Sequence, residues 1–417
     1  CMLPGGKRID VGFDLAGDGK LSTGEVTSSD YLDCAQSEMI HDGGNGAGQA
    51  SYVDNDGNLY LAGSFWGSYY GIPSVGVYDV FCMKLSRERE VLWVAGWGTD
   101  ANDTVKDIHV DAVGNVVLSG YTYGSFPGYT NAGNTDIFAT KISSDGVVEW
   151  TYQTGGPDAD YGHGIAVLDG VGVFVHGYTN SALPGGTPLG GADSFLMRLD
   201  LTGTWLWTEQ YGTTGYDLGY DLAVDDAGFL YATGRISSDV YVRKFDLDGM
   251  ELWTSTWGSA VVDTGLKLVL EDDGSIHVTG YTNGWLAAPN AGGTDTFYSK
   301  LDPTGAVLHS VQFGSSETES FQSVAVDGEG NAYVAGGTIG TLPENVNHGN
   351  LDAYMAKILP DGTLEFLYQY GTEENDFTYS ISADPGYYVY AVGRTYGTFD
   401  QEPPEGGVDM FFTIYPL

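Results

Sequence analysis

The chain has 417 residues, of which 16 are basic and 56 acidic, so its formal net charge is −40 at pH 7. This charge excludes nucleic acid and an anionic membrane surface as partners, because both would repel the chain. The 63 glycines and 29 tyrosines are typical of turns and strands, and no apolar run is long enough to form a transmembrane helix.

Residues 1–35 contain a stretch with the ligand spacing of a calcium-binding loop. The sequence DLAGDGKLSTGE starts at Asp14 and places Asp18, Lys20, Ser22 and Glu25 at positions 5, 7, 9 and 12. In an EF-hand loop these positions supply oxygen ligands to Ca²⁺. We therefore predict Ca²⁺ as a cofactor, bound by four of these side chains and by the Lys20 carbonyl. Alanine at position 3 lowers the expected affinity, and the alternative is an ordinary turn-rich loop.

Two cysteines, Cys1 and Cys34, bracket this segment. It resembles a small Cys-bracketed calcium-loop module of some bacterial secreted proteins, with the pattern GxDxxGDGxLxxxEV followed by Tyr and Cys. We favour a disulfide between the two, worth roughly 3 to 4 kcal/mol to a segment with little core. The alternative is a lipid anchor on Cys1. Because the chain begins with Cys, we expect that a secretory signal has been removed upstream.

A pattern of nearly constant length recurs along the rest of the chain. Each copy has an acidic residue, a Gly-containing turn, a β-rich run and a closing glycine, at Gly63, Gly120, Gly177, Gly234, Gly280, Gly336 and Gly393. The separations are 57, 57, 57, 46, 56 and 57 residues. A D-x-[FY]-x-x-[KR] motif, a turn, an aromatic strand ending at a glycine and a further acid follow in register. These markers predict four short strands per unit.

Seven such units without intervening helices predict an all-β fold, a seven-bladed β-propeller of four-stranded blades with a small N-terminal calcium-loop segment. The stretches GNVVLSGYTYGSFPG and DIFATKISSDG resemble the bacterial SBBP-type β-propeller repeat. Members of that family are mostly secreted or surface proteins, so the resemblance implies an extracellular or cell-surface location and leaves the activity open. We divide the chain into residues 1–35, the calcium-loop segment, and residues 36–417, the propeller.

The last unit supplies only three strands. Native sheets avoid a long unpaired edge. We therefore expect residues 36–41 to form the missing outer strand of the last blade and to latch the ring.

Acidic residues recur at three positions of the unit. One set closes the innermost strand, at Asp54, Asp111, Asp225, Glu271, Asp327 and Asp384. The D-x-[FY] set is Asp79, Asp136, Asp193, Asp239, Asp295 and Asp352. The set that follows the blade-joining glycine is Asp103, Asp160, Asp217, Asp263, Glu319 and Asp376. Because repetition favours a structural role, we predict that these acids hydrogen-bond nearby backbone.

Two further predictions follow from the alignment of the units. The basic residue that ends each D-x-[FY] motif is expected to pair with the acids of the D-x-[FY] and blade-joining sets across neighbouring blades. Cys82 takes the place of an apolar residue in the other units, so we predict a buried, unreactive thiol.

Six units carry a long loop between their second and third strands, whereas the fourth has only Arg235 to Ser238 there. The long loops are expected to gather on one face. Their aromatic residues include Tyr121, Tyr123, Phe126, Tyr129, Tyr178, Tyr281, Trp285, Tyr396 and Phe399. Aromatic side chains on a rigid scaffold are typical of binding surfaces, and the alternative is that they pack beneath their own loops.

The long loops show no unrepeated cluster of His, Arg and acid, and the chain has no HExxH, CxxC or GxSxG motif. We therefore predict a non-enzymatic secreted or cell-surface protein that acts in calcium-dependent binding, adhesion or self-assembly, such as a subunit of a surface layer or filament. The expected partner is another copy of the chain or a surface glycan or protein. The alternative is an extracellular enzyme, a lyase, hydrolase or quinoprotein-like protein, with its site on the same face.

Overall fold

The computed structural model describes the backbone of residues 2–3, 7–8, 36–40, 45–384, 386–397 and 408–417, and the side chains within these ranges from residue 46 onward. The described residues contain seven four-stranded antiparallel sheets. Each sheet is one blade, so the predicted seven-bladed propeller is confirmed. Within the described ranges, the structure has no helix that is long and apolar enough to cross a membrane.

The four strands of a blade follow one another outward from the axis of the ring. The innermost strands are Asn45–Val53, Asp103–Val110, Asp160–Leu168, Leu218–Val224, Asp263–Leu270, Glu319–Val326 and Asp376–Asp384. The second strands are Leu59–Trp66, Val116–Thr122, Gly172–Thr179, Leu230–Ile236, Ile276–Thr282, Ala332–Thr338 and Tyr388–Thr395. The third strands are Asp79–Leu85, Asp136–Ile142, Asp193–Leu199, Asp239–Phe245, Asp295–Leu301, Asp352–Ile358 and Asp409–Pro416.

The outer strands are Val91–Trp97, Val148–Thr154, Trp205–Tyr211, Glu251–Trp257, Val307–Phe313, Leu364–Tyr370 and Gln36–Ile40. Two short hairpins lie outside the blades. One pairs Met2–Leu3 with Lys7–Arg8, and the other pairs Ser68–Tyr69 with Ile72–Pro73.

The hydrophobic core lies between the blades. Seven clusters of buried side chains each join two consecutive blades, and one of them joins the last blade to the first. The third strands are buried on both faces, whereas the outer strands begin with exposed or half-buried residues. Cys82 belongs to one cluster, is fully buried, and burial raises the pKa of its thiol. Because each sheet buries its faces against its neighbours, no blade completes its core alone.

The ring closes through the last blade. Gln36–Ile40 pairs antiparallel with Asp409–Pro416, so this blade takes its outer strand from the N-terminal side and its other three strands from the C-terminal end. At the same seam, Arg87 of the first blade forms an ion pair with Asp384 of the last blade at 3.2 Å. The outer strand expected at residues 36–41 is therefore present as Gln36–Ile40, and residue 41 lies outside the described residues.

A β-bulge interrupts the pairing of every innermost strand with its second strand. The closing glycine lies beside it, as at Gly120, where a Cβ atom would overlap the carbonyl oxygen of Thr104. This close approach explains why glycine recurs there. In the second blade the bulged residue is Lys106 and the next residue is Asp107. A bulge redirects the side chains around it, so the side chains of these two innermost-strand residues are directed differently from those of a regular strand.

Candidate functional site

The loops give the propeller two different faces. Because the strands of a blade are antiparallel, the long loops between second and third strands leave on the same side as the segments that join consecutive blades. We call this side the long-loop face. The opposite side, the turn face, carries tight turns such as the one at Gly114, whose φ of 86° is left-handed. In the fourth unit only Ser237 and Ser238 join the strands, so no long loop covers that sector.

The aspartates of the D-x-[FY] motif hold the long loops in place. Asp136 accepts hydrogen bonds from the Ala132 amide at 3.1 Å and from Gln153 Nε2 at 2.9 Å. The same two contacts recur at Asp193, Asp295 and Asp352. These carboxylates are buried, so the predicted structural role is confirmed for them.

The acids of the blade-joining segments bond the backbone of the same segment. Asp103 accepts a hydrogen bond from the Thr99 amide, and Asp160 from the Gly156 amide, both at 2.6 Å. Burial raises the pKa of each carboxyl to about 6, because desolvation outweighs the hydrogen bonds. The same backbone contact recurs at Asp217, Asp263, Glu319 and Asp376. This set is structural, as predicted.

The acids that close the innermost strands divide into two groups. Asp111 accepts hydrogen bonds from the Val113 and Asn115 amides of its own turn, at 3.1 and 2.8 Å. Turn amides are bonded in the same way by Asp54, Asp225 and Asp327. The prediction is wrong for Glu271, which instead accepts hydrogen bonds from a histidine and a lysine, and for Asp384, whose carboxylate pairs with an arginine of the first blade.

The prediction that the basic residues of the D-x-[FY] motif pair with the D-x-[FY] and blade-joining acids of neighbouring blades is also wrong. Lys141 contacts Glu149 at 3.0 Å, and Lys357 contacts Glu365 at 2.9 Å, in each case on the outer strand of the same blade. The third strand lies directly beside the outer strand, so these carboxylates are the nearer partners. The acids of the neighbouring blades are already satisfied by backbone amides and glutamine side chains.

The seven innermost strands surround a cavity of about 400 Å³ on the axis of the ring. At the residue after the bulge, the units have Ala50, Asp107, Gly164, Asp221, Lys267, Ser323 and Ser380. Four of these side chains accept a hydrogen bond from a backbone amide of the next blade around the ring. The donor and acceptor pairs are Ile165 and Asp107, Leu268 and Asp221, Ile381 and Ser323, and Ser51 and Ser380. This position therefore links consecutive blades around the channel.

Lys267 crosses the channel at this level. Its Nζ lies 2.7 Å from the carboxylate of Asp107, in the second blade, and 2.9 Å from that of Asp221, in the fourth. Desolvation raises the pKa of Asp221 to about 6, and the positive charge of Lys267 acts in the opposite direction and lowers it. Desolvation lowers the pKa of Lys267, and the two carboxylates more than offset this, so it is raised overall. We call these three residues the ion triad. None of its three residues was singled out as a site from the sequence.

The bulged residues precede the triad position in their strands, so they lie on its long-loop side, whereas the cavity is lined by the ion triad and by residues that follow it toward the turn face. We call the long-loop end of the ring axis the mouth of the channel. In the third and fourth blades the bulged residues are His163 and Tyr220, whose ring centroids are 5.0 Å apart. His163 also stacks on Tyr178 at 5.5 Å, and Tyr161 contacts Tyr178 at 4.9 Å and Tyr121 at 5.0 Å. We call these five residues the aromatic arc. All five are partly exposed, so the arc is a surface that a ligand can reach.

A second aromatic group lies at the mouth in the sixth and seventh blades. The guanidinium of Arg394 lies 4.7 Å from the ring centroid of Phe377, 5.6 Å from Tyr379 and 5.4 Å from Tyr396. Phe321 packs edge-on against Phe377 at 5.4 Å and against Tyr379 at 4.8 Å. We call these five residues the Arg394 cluster. Together with the aromatic arc it gives the mouth a rim of aromatic and cationic side chains.

Three cations of the rim lack a carboxylate partner. Lys106, Arg235 and Arg394 form no ion pair with any described residue. Burial lowers the pKa of Lys106, and no carboxylate opposes that effect. Burial also lowers the pKa of His163 well below its usual value, and the charge of Lys106 acts in the same direction. The rim therefore carries three basic side chains without an ion-pair partner among the described residues, in a strongly acidic protein.

Arg235 lies close to the aromatic arc. Burial raises the pKa of Tyr220 to about 12, the neighbouring Tyr281 adds to the effect, and the Arg235 guanidinium opposes it. Arg235 belongs to the fourth blade, where the long loop is missing. The rim is consequently open on the side of this arginine.

The aromatic residues singled out in the sequence occupy three kinds of environment. Phe126 is 3% exposed and packs on Phe138, so it anchors its own loop. Tyr121, Tyr178 and Tyr281 are partly exposed residues of second strands at the mouth. Exposed side chains on the long-loop face are Tyr123, Tyr129, Trp285 and Tyr396. Phe399 lies outside the described residues.

The predicted calcium ligands Asp14, Asp18, Lys20, Ser22 and Glu25 lie outside the described residues, as do Cys1 and Cys34. The calcium loop, the disulfide, the lipid anchor and the division of the chain at residue 35 therefore stay predictions. In the part of the chain that the structure describes, no group of three or more His, Cys, Asp or Glu side chains is arranged to hold a metal ion.

Solved propeller structures resemble the chain in fold. The WD40 domain of Neurospora crassa Pan2 aligns with 91% of this chain and 95% of its own, with a TM-score of 0.50 and 10% sequence identity. The polysaccharide lyase Uly1 aligns with 89% of this chain and 90% of its own, with a TM-score of 0.49 and 10% identity. At 10% identity the likeness to the Pan2 domain shows the fold alone.

Two sequence comparisons give the remaining similarities. Regulatory protein FlaEY of Caulobacter vibrioides is 26% identical over 170 residues, which are 37% of this chain and only 18% of FlaEY. The chain thus spans less than a fifth of that relative. The family model SBBP, described as a beta-propeller repeat, matches residues 206–241, from the outer strand of the third blade into the third strand of the fourth. The chain therefore carries a β-propeller repeat of the SBBP type within a seven-bladed propeller.

Proposed function

We propose that this protein is a non-enzymatic, secreted or cell-surface binding protein whose long-loop face holds its partner. The observation that supports this best is the partly exposed rim of the channel mouth, formed by the aromatic arc and the Arg394 cluster. Aromatic and arginine side chains carry much of the energy at interfaces, and here rigid strands hold them. The partner is a second copy of the chain or a surface glycan or protein, and binding serves adhesion or assembly.

We propose that this binding depends on Ca²⁺. With a net charge of −40, two copies of the chain repel each other, and divalent cations between carboxylates reduce such repulsion. The loop from Asp14 to Glu25 is the proposed site of one Ca²⁺ per chain. The calcium requirement and the binding face are separate parts of the proposal, so each has its own test.

The test of the face compares exposed aromatic residues on its two sides. Tyr123→Ala and Trp285→Ala remove side chains that are 51% and 69% exposed on the long-loop face. Tyr387→Ala removes a tyrosine side chain that is 53% exposed on the turn face, and this variant is the matched control. Self-association is measured by light scattering in millimolar calcium, and glycan binding on an array. We expect only the long-loop variants to weaken association or binding. Weakening by Tyr387→Ala alone would place the interface on the turn face and reject the proposal.

An extracellular lyase is the second candidate, and one contact favours it. His163 is held between Tyr178 and Tyr220, and burial lowers the pKa of its imidazole, so the neutral form has an unprotonated nitrogen that can act as a weak base. Ultraviolet absorbance of an unsaturated sugar product, measured with an acidic polysaccharide, tests this candidate. Product formation that His163→Ala abolishes would replace the binding proposal, and absence of product from the intact protein supports it.

A further inference from the structure

We propose that the mouth of the channel binds an acidic glycan, with sugar rings against the aromatic arc and acid groups on Lys106, Arg235 and Arg394. The inference rests on the proposed function, since it names the ligand of the same face. It identifies the ligand by its chemistry, a chain of sugars that carries carboxylate or sulfate groups.

Positive charge is scarce in this chain, and its partners differ between the rim and the rest of the blades. Only 16 of 417 residues are basic. Most lysines elsewhere on the blades have carboxylate partners, as Lys141 does in Glu149 and Lys300 in Glu271, whereas Lys244 contacts the hydroxyl of Tyr231. The three cations of the rim have no carboxylate partner among the described residues, and the Nε atoms of Arg235 and Arg394 are buried without a hydrogen-bond partner there. An anion from outside would supply what the fold does not.

The aromatic rings at the mouth are packed against one another and around Arg394. The rings of the aromatic arc contact one another at centroid distances of 4.9 to 6.1 Å, with His163 stacked on Tyr178 and the other pairs tilted or edge-on, so they form one continuous aromatic patch. Such a surface suits the flat, apolar faces of sugar rings, and the tyrosine hydroxyls supply polar contacts. Arg394 is held over three rings, so its planar fork is already ordered before a carboxylate or sulfate arrives.

The two acids of the ion triad near the mouth already have partners. Asp107 and Asp221 lie just beneath the mouth, and both carboxylates are occupied by Lys267 and by backbone amides. Charges farther away are screened over about 8 to 10 Å at physiological ionic strength. The nearby cations therefore decide what the rim attracts, despite the net charge of the whole chain. The missing loop of the fourth blade leaves an open side through which an extended chain can reach Arg235.

The experiment measures binding of defined polymers to the full chain by calorimetry. Polygalacturonate carries carboxylates, dextran sulfate carries sulfate esters, and unmodified dextran carries neither. We expect at least one acidic polymer to bind and dextran not to bind. Lys106→Gln and Arg394→Gln should each weaken binding by about 10-fold, the effect of losing a charge-assisted hydrogen bond. Lys106→Arg should retain it. Lys141→Gln, which removes an equal charge from the third strand of the second blade, should bind as the wild type does.

The outcomes separate this inference from the proposed function. Binding of polygalacturonate alone assigns a carboxylate ligand, and binding of dextran sulfate alone a sulfate ester, and either supports the inference. It is overturned if no acidic polymer binds, if dextran binds equally well, or if both rim variants bind normally. It is also overturned if Lys141→Gln weakens binding as much as Lys106→Gln. The proposed function survives these failures as long as Tyr123→Ala and Trp285→Ala still weaken association.

Discussion

Replacing Lys267 with methionine tests what the ion triad does for the fold. Methionine keeps most of the length and apolar volume of the side chain but removes the charge that Asp107 and Asp221 share at 2.7 and 2.9 Å. Each carboxylate keeps one backbone amide as a partner, from Ile165 and Leu268. The variant therefore retains two carboxylates inside the channel without their counter-ion, which is the costly way to break a buried pair.

The expected loss is set by burial. Removing one partner of a buried ion pair costs about 3 to 5 kcal/mol. The side chains of Asp221 and Asp107 are 5% and 13% exposed, whereas that of Lys267 is 23% exposed, so water screens part of the interaction. We expect the lower end, about 3 kcal/mol. With about 2.1 cal/mol/K of unfolding entropy per residue, a chain of 417 residues would lose about 3 to 4 °C in Tm.

The loss should also depend on pH. The pKa of Asp221 is about 6 in the wild type because of desolvation, and loss of the Lys267 charge raises it further. A carboxyl whose folded pKa exceeds its unfolded value binds the proton more tightly in the folded state, so stability rises as the pH falls through that pKa. The difference in Tm between variant and wild type is therefore largest at about pH 8 and shrinks toward about pH 5.

Calorimetric melting of the full chain measures both effects. The control is the triple variant Asp107→Asn, Asp221→Asn and Lys267→Met, which keeps an acceptor for each backbone amide and leaves no charge in the channel. It should recover most of the lost stability. The account of the ion triad fails if Lys267→Met melts like the wild type at every pH, or if the triple variant is the least stable of the three.

Three further predictions concern the seam, calcium and protonation. Deleting residues 1–42 removes the strand Gln36–Ile40 and should lower the Tm far more than deleting residues 1–35; equal melting of the two truncations would contradict the latch. Glu25→Gln should remove one bound Ca²⁺ per chain in calorimetric titration, and unchanged stoichiometry and affinity would contradict the calcium loop. Because the pKa values of Asp103 and Asp160 are raised to about 6 by burial, the Tm in high salt should rise as the pH falls from about 8 to about 5, and a constant Tm would refute this.

The fold could be predicted because its constraints are repeated. A closing glycine such as Gly120 recurs where the second strand approaches the first too closely for a Cβ, and an aspartate such as Asp136 recurs where a long loop needs an acceptor. Seven copies in register fix the strand count and the number of blades. The same repetition misled the analysis at Glu271 and Asp384, where the sequence position is shared but the partner is a side chain particular to one blade or to the seam.

The sequence singled out Tyr121, Tyr178 and Tyr396 of the candidate site, but its other residues were harder to predict because they do not repeat. Asp107, Asp221 and Lys267 occupy one position of the unit, where other blades have alanine, glycine or serine. An alignment of the units shows this contrast, but only the closed ring brings the second, fourth and fifth blades within ion-pair distance. Similarly, Lys106 and Arg235 stand far apart in sequence, and their common location depends on the bulges and on the curvature of the ring.

The central claim is that the partner binds at the mouth of the channel on the long-loop face, and hydrogen–deuterium exchange of the full chain tests it most directly. Exchange is compared with and without a saturating amount of whichever acidic polymer binds in calorimetry, polygalacturonate or dextran sulfate, with dextran as the control. We predict slower exchange in the strand ends and loops around Lys106, His163, Tyr220 and Arg394, and unchanged exchange in the turn face and the outer strands. Protection confined to the turn face or the outer strands, or no protection at the mouth, would contradict the claim.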